Sequence, residues 1–186
     1  MSVELTSIDK NLDNGSNMGG IAQYIYIAFH GDILTWPAEP AAPLTIEDLG
    51  TLTGDLIMKA GKRFFEMYLT DDTGEFKIES VGETDGKSFV MHLSLFHPGL
   101  QKKILGFMNA TKNENLAIVV VDNEGQHFLM GSQLRPAIFN GSPDANGTGK
   151  ATADRRGMSF EFIFKTKNVY QYPGSIPLTI NVSPVI

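Results

Sequence analysis

Cysteine is absent from all 186 residues. That excludes a disulfide framework, a thiolate nucleophile and a Cys-ligated zinc site in one step. Long apolar runs are missing too: nothing approaches the ~20 residues that a membrane-crossing helix needs. The opening MSVELTSIDKNLDNGSNMGG has neither the charged start nor the apolar stretch of a secretory signal. The expectation is synthesis in a reducing cytoplasm, with no membrane partner. On that expectation Asn-x-Ser/Thr triplets such as those at Asn109, Asn140, Asn146 and Asn181 are chance matches. Positive charge is short as well. Fifteen Lys and Arg face 21 Asp and Glu, for a net charge of -6 and a pI near 5.1. Gripping duplex phosphate needs clustered cations, so the chain is a poor candidate for it.

The small basic groups are Lys59, Lys62 and Arg63; Lys102 and Lys103; and Arg155 with Arg156. They read first as solvated faces or turns and next as inter-subunit salt bridges. Aromatic residues are not interleaved with them as single-strand binders require.

Motifs that carry chemistry are equally sparse. Asp72-Thr73-Gly74 is the tripeptide of aspartic proteases, where two carboxylates share a proton. Here it follows Asp71 and sits between two strand patterns, where Asp and Gly serve a turn. Gly147-Thr148-Gly149-Lys150 has part of a phosphate loop. Asp144 and Ala151 stand where that loop needs Gly and then Ser or Thr, so a connector is the reading. The four histidines, His30, His92, His97 and His127, show no i, i+4 pair. They read as exposed strand histidines rather than metal ligands. No nucleophile, base and orienter can be assembled from spacing. The expectation is a protein that is not an enzyme, holds no cofactor and binds no metal.

What the chain does have is apolar content of 42% and strong strand patterning. Its length suits one β-rich domain with a real core. Residues 1–20, rich in Ser, Asn, Asp and Gly, read as a flexible N-terminal arm. Residues 21–172 read as a single domain, and 173–186, broken by prolines, as an extended C-terminal arm or edge strand. IAQYIYIAF alternates apolar residues on both faces, which predicts a strand covered on both sides. Three prolines in TWPAEPAAP forbid a helix interior or central strand there, so residues 30–53 read as one long connection. Trp36, the only tryptophan, lies in it. It is either a staple holding that loop to its own domain or an anchor in a subunit interface.

Further along, Phe76, Ile78 and Ser80 alternate with Glu75, Lys77 and Glu79, a strand with one wet face. Phe89, Met91, Leu93 and Leu95 alternate in the same way. PGLQKKILGFMNAT repeats apolar residues at helical spacing and predicts a helix over about 98–110. LAIVVVDNEGQHFLMGSQ is a β-hairpin. Asp122 and Asn123 suit a type I turn, and Gly125 can supply the left-handed residue that closes it. Residues 132–150 read as a long polar loop. GMSFEFIF then places Met158, Phe160, Phe162 and Phe164 on one face. The fold class is therefore mainly β, a sandwich or barrel with one flanking helix.

The order of these pieces is GGIAQYIYIAF, then FVMHLSLFHPGLQKKILGFMNAT, then AIVVVDNEGQHFLMGS, then GTGKATADRRGMSFEFIF. It resembles the virion structural proteins of tailed bacteriophages, most of all the tail tube, or major tail, proteins, over residues 19–165. The resemblance implies a tail-tube-like β-sandwich with a flanking helix. It implies self-assembly into rings, hexameric in that family, that stack into a tube for DNA. Loops and termini would reach the next ring. The expected partners are then the chain itself, other virion proteins and DNA passing without sequence recognition. The expected place is the virion tail, assembled in the host bacterial cytoplasm. Subunit contacts are expected from residues 1–20, from loop 30–53 with Trp36, Pro37 and Pro40, and from loop 132–150 with Asn140 and Asp144. Arg155 and Arg156 are added to that set. An acidic balance fits a conduit that must not hold phosphate. The alternatives are another virion part, such as a connector, stopper, terminator or capsid decoration protein, or a monomeric small β-barrel binding module.

Overall fold

A computed structural model describes residues 3–8, 17–142 and 146–181. The strands in chain order are β1 (Tyr24–Phe29), β2 (Ile33–Thr35), β3 (Ile57–Met58), β4 (Phe65–Tyr68), β5 (Glu75–Val81), β6 (Ser88–Pro98), β7 (Leu116–Val121), β8 (His127–Met130), β9 (Ile138–Gly141) and β10 (Gly157–Thr166). Two helices accompany them, α1 (Ile46–Leu49) and α2 (Lys102–Thr111). The strands form two four-stranded antiparallel sheets, ordered β4-β1-β7-β8 and β5-β6-β10-β9, and a small β2-β3 pair. The molecule is mainly β, a sandwich with a flanking helix.

β7 explains the layering. Leu116, Ala117, Ile118, Val119 and Val120 are each 1% exposed or less. A strand without a wet face must be covered on both sides. Leu116, Ile118 and Val120 enter the core between the sheets, against Met91, Leu93, Phe160 and Phe162. Ala117 and Val119 face the other way, into a second cluster with Ile33, Leu52, Leu56, Met58, Phe64 and Tyr172. That second cluster is built by the 33–64 excursion and the C-terminal tail. Each fully buried Val, Leu or Ile adds about 1.5–3 kcal/mol, so the two faces of β7 hold three layers together.

The expected long loop, 30–53, is therefore substantially structured. A 3-10 turn at His30–Asp32 leads into β2, and Ile33 and Leu52 are buried. Thr45 caps α1: its side chain accepts the Asp48 N–H while the Asp48 carboxylate accepts the Thr45 N–H. The prolines fit because this segment is a cover laid over a sheet, not a strand within one. Residues 173–181 run extended beside 55–64, with Phe64 N–H donating to the Pro177 carbonyl and Gly61 N–H to that of Asn181.

The helix begins at Lys102, four residues after Pro98. Pro98 ends β6 instead, opposite Gly157, and Gly99 with φ +88 turns the chain out of the sheet. The 116–133 hairpin is as expected. Gly125 has φ +81, and Asp122 Oδ1 accepts the N–H groups of Glu124 and Gln126 at 2.9 and 2.7 Å. β5 departs from its expected pattern. Phe76 is half-buried against Phe128, but Ile78 and Ser80 are exposed, because this end of the hairpin extends past the core.

Tyr172 locks the cover in place. It is 1% exposed, accepts the Leu56 N–H at 2.9 Å and donates to the Ser175 carbonyl at 2.7 Å. Burial holds its phenol above the ordinary tyrosine range. A phenol held neutral in the fold stabilises it below pH ~10, and the contribution is lost as pH rises through the raised value. Tyr172→Phe leaves two partners unsatisfied and is expected to cost about 1–3 kcal/mol in urea unfolding at neutral pH. The variant should also lose part of the wild-type decline in alkali.

Candidate functional site

The two sheets differ in what their outer faces meet. The outer face of β4-β1-β7-β8 is covered by the second cluster. The outer face of β5-β6-β10-β9 carries charge. Glu75, Lys77 and Glu79 on β5 are exposed, and Lys165 on β10 is exposed with them. The register puts Glu75 beside Ser94 and Ser94 beside Glu161, and Lys77 beside His92. His92 lies between two carboxylates, with Nε2 3.5 Å from Glu79 and Nδ1 3.2 Å from Glu161. Glu161 Oε2 also accepts from Asn140 Nδ2 at 3.0 Å. One polar chain, Glu79–His92–Glu161–Asn140, thus crosses all four strands. Such part-exposed pairs contribute little to stability. Their effect is to keep this face hydrated and to fix the positions of its charges.

Neither edge strand of that sheet, β5 or β9, has a further strand neighbour among the described residues, although Ala137, just before β9, bridges Leu116 of β7. Each edge leaves an isoleucine in the open, Ile78 at 44% and Ile138 at 41% exposure. A row of unpaired backbone donors and acceptors with an apolar side chain is a template for another strand.

The expected contact residues do not gather in one place. Trp36 and Pro37 line a small cavity of about 220 Å³ with Leu134 and Tyr170. The Trp36 ring packs 4.8 Å from that of His30 and joins the second cluster. Gly131 lies beneath it with φ +133, where any side chain would meet the indole at 3.3 Å. Pro40 is half-buried in the same cover. Asn140 is on β9, and the Arg155 guanidinium sits 5.9 Å from the Phe96 ring centre. Arg156 is exposed, and its carbonyl accepts the Gly99 N–H at 2.9 Å. Asp144 lies outside the described residues.

The other motifs resolve as backbone devices. Asp72 has φ +56 in the β4–β5 turn, and Gly74 is packed so closely on Ile21 and Leu69 that no Cβ would fit. In the Gly147–Lys150 segment the carboxylate of Asp154 accepts the N–H groups of Lys150 and Ala151, both at 2.7 Å. Those bonds hold the Asp154 carboxyl below its ordinary range, with the Ala151 bond the larger cause. A phosphate loop needs free amides, and these two are already donated.

The histidines are not the freely exposed strand residues expected. All four are half-buried, and three of them, His30, His92 and His97, take up carbonyl or carboxylate partners. His30 Nε2 donates to the Ser132 carbonyl at 2.7 Å and His97 Nδ1 to that of Tyr68 at 2.8 Å. Among the described residues no three His, Cys, Asp or Glu side chains gather to hold a metal.

A groove of about 860 Å³ went unforeseen. It runs along β4 to α2, lined by Tyr24, Phe65, Tyr68, Ile104 and Phe107, with Arg63 and Lys103 among its polar residues. Its signal in the sequence was RFFEMY, whose aromatics exceed what one buried face needs. No family model, curated protein or solved structure matches this chain.

Trp36→Ala separates the two readings of that residue. As a staple, its loss should cost about 2 kcal/mol in urea unfolding of dilute protein followed by far-ultraviolet circular dichroism. Unchanged stability with lost self-association would mean an interface anchor instead.

Proposed function

We propose that this chain is a ring-forming structural subunit of a bacteriophage tail tube, whose stacked rings carry DNA. The observation that supports this best is the sheet β5-β6-β10-β9, with a charged outer face and two free edges. Pairing β5 of one copy with β9 of the next is a heterologous contact, in which different surfaces meet and a rotation can close a ring. The charged face would then line the lumen. Its carboxylates Glu75, Glu79 and Glu161 outnumber the Lys77 and Lys165 ammonium groups, so phosphate would pass without sticking. The sequence resemblance and the acidic balance point the same way.

A second reading is a monomeric binding module, and the 860 Å³ groove favours it. Grooves of this size take small ligands as well as chains.

Negative-stain electron microscopy of purified protein across a concentration series separates the two. Rings or stacked tubes with a central channel are expected. Featureless particles at every concentration, with or without other virion parts, contradict the proposal. Ile138→Lys puts a charge on the β9 edge. It should change the stability of the isolated subunit by no more than about 0.5 kcal/mol while abolishing rings.

A further inference from the structure

The β4 groove is apolar, aromatic and open. Phe65 is 55% exposed, Tyr24 45% and Tyr68 37%. β4 is the terminal strand of its sheet, so its outer backbone edge has no strand neighbour among the described residues. Three features therefore coincide. The first is a strand edge that no strand covers, though the Phe64 N–H donates to the Pro177 carbonyl and the Tyr68 carbonyl accepts from His97. The second is the exposed aromatic rings. The third is two cations, Arg63, which also donates to the Leu178 carbonyl, and Lys103, set against the single carboxylate of Glu66. They suit an extended peptide with apolar side chains and net negative charge, which would pair with the edge, fill the groove and meet the cations.

The chain contains such a segment. Residues 3–8, Val-Glu-Leu-Thr-Ser-Ile, carry no regular structure, and Leu5 and Ile8 are 88% and 85% exposed. Glu4, Asp9 and Asp13 against Lys10 give the first twenty residues a net charge of -2. Their base is fixed at the β7–β8 turn. The Met18 N–H donates to Glu124 Oε1 at 2.8 Å, and Asn123 Nδ2 donates to the Gly19 carbonyl at 2.7 Å. In the sheet order that turn lies beyond β1 from β4. The C-terminal tail contributes Leu178 to the groove lining, its carbonyl accepting from Arg63 Nη1 at 3.3 Å, and Asn181 then bonds beside Gly61 and Lys62, away from β4.

We infer that the β4 groove seats residues 3–8 of a second copy of this chain. The inference rests on the ring-subunit proposal for the presence of that second copy, and adds where one subunit holds the next.

Because the chain has no cysteine, engineered thiols report the contact cleanly. Leu5→Cys protein and Glu66→Cys protein are mixed, oxidised and run on a non-reducing gel, with the same samples imaged by electron microscopy. The mixture should give a disulfide-linked dimer severalfold above either variant alone. Arg63→Glu with Lys103→Glu in the Glu66→Cys chain should lower that yield severalfold. Rings without the dimer would overturn the groove contact and leave the ring proposal standing. Neither dimer nor rings would overturn both. A chain carrying both cysteines that closes on itself as a cross-linked monomer would place its own segment in the groove, and the second copy would be refused.

Discussion

The structure depends on the burial of β7 from both sides. Leu116, Ile118 and Val120 point into one core and Ala117 and Val119 into another, with none of these five side chains left for water to reach. One face is satisfied by the opposing sheet. The other has no sheet to meet, so the chain covers it with the 33–64 excursion and the C-terminal tail. The Leu56 N–H donating to the Tyr172 hydroxyl and the Ser175 N–H donating to Asp55 Oδ1 hold those two pieces together. Without this cover, Ala117 and Val119 would face solvent, and the prolines of TWPAEPAAP would have nothing to lie against.

Covering one sheet twice leaves the other covered once. The free face of β5-β6-β10-β9 is where the chain concentrates ordered charge, in the Glu79–His92–Glu161–Asn140 line. The same sheet keeps two open edges, each with an exposed isoleucine. Opposite it, the β4 edge and its aromatic groove stay open beside α2. A lone subunit that leaves β5 and β9 without a further strand neighbour among the described residues, and this much aromatic surface exposed, is poorly protected against association. That is an economical design for a molecule whose working state is an assembly, which is how we read it.

Much of the fold was legible because it follows from period-2 patterning. The alternation in SFVMHLSLF and GMSFEFIF marks the two central strands of the charged sheet, and Asp122 with Gly125 marks the hairpin by turn chemistry alone. The cover was not legible. Ile33, Leu52, Leu56 and Met58 are scattered through proline-rich sequence with no period, and only the face of β7 they meet gives them a common purpose. The start of α2 was misjudged because Pro98 is tolerated at a helix start and at a strand end alike, and its pairing with Gly157 decided the matter. Of the contact residues expected, Asn140 falls on a free edge. Trp36 and Pro37 lie instead around a cavity in the cover. The β4 groove left only the aromatic excess of RFFEMY, which does not say which rings remain uncovered.

The central claim is that the edges of the charged sheet join one copy to the next. Amide hydrogen exchange measured across a concentration series tests it most directly. Protection of β5 and β9, around Ile78 and Ile138, is expected to rise with concentration while that of β7 stays constant. Concentration-independent exchange at both edges, in samples where microscopy shows rings, would contradict it and place the joint elsewhere.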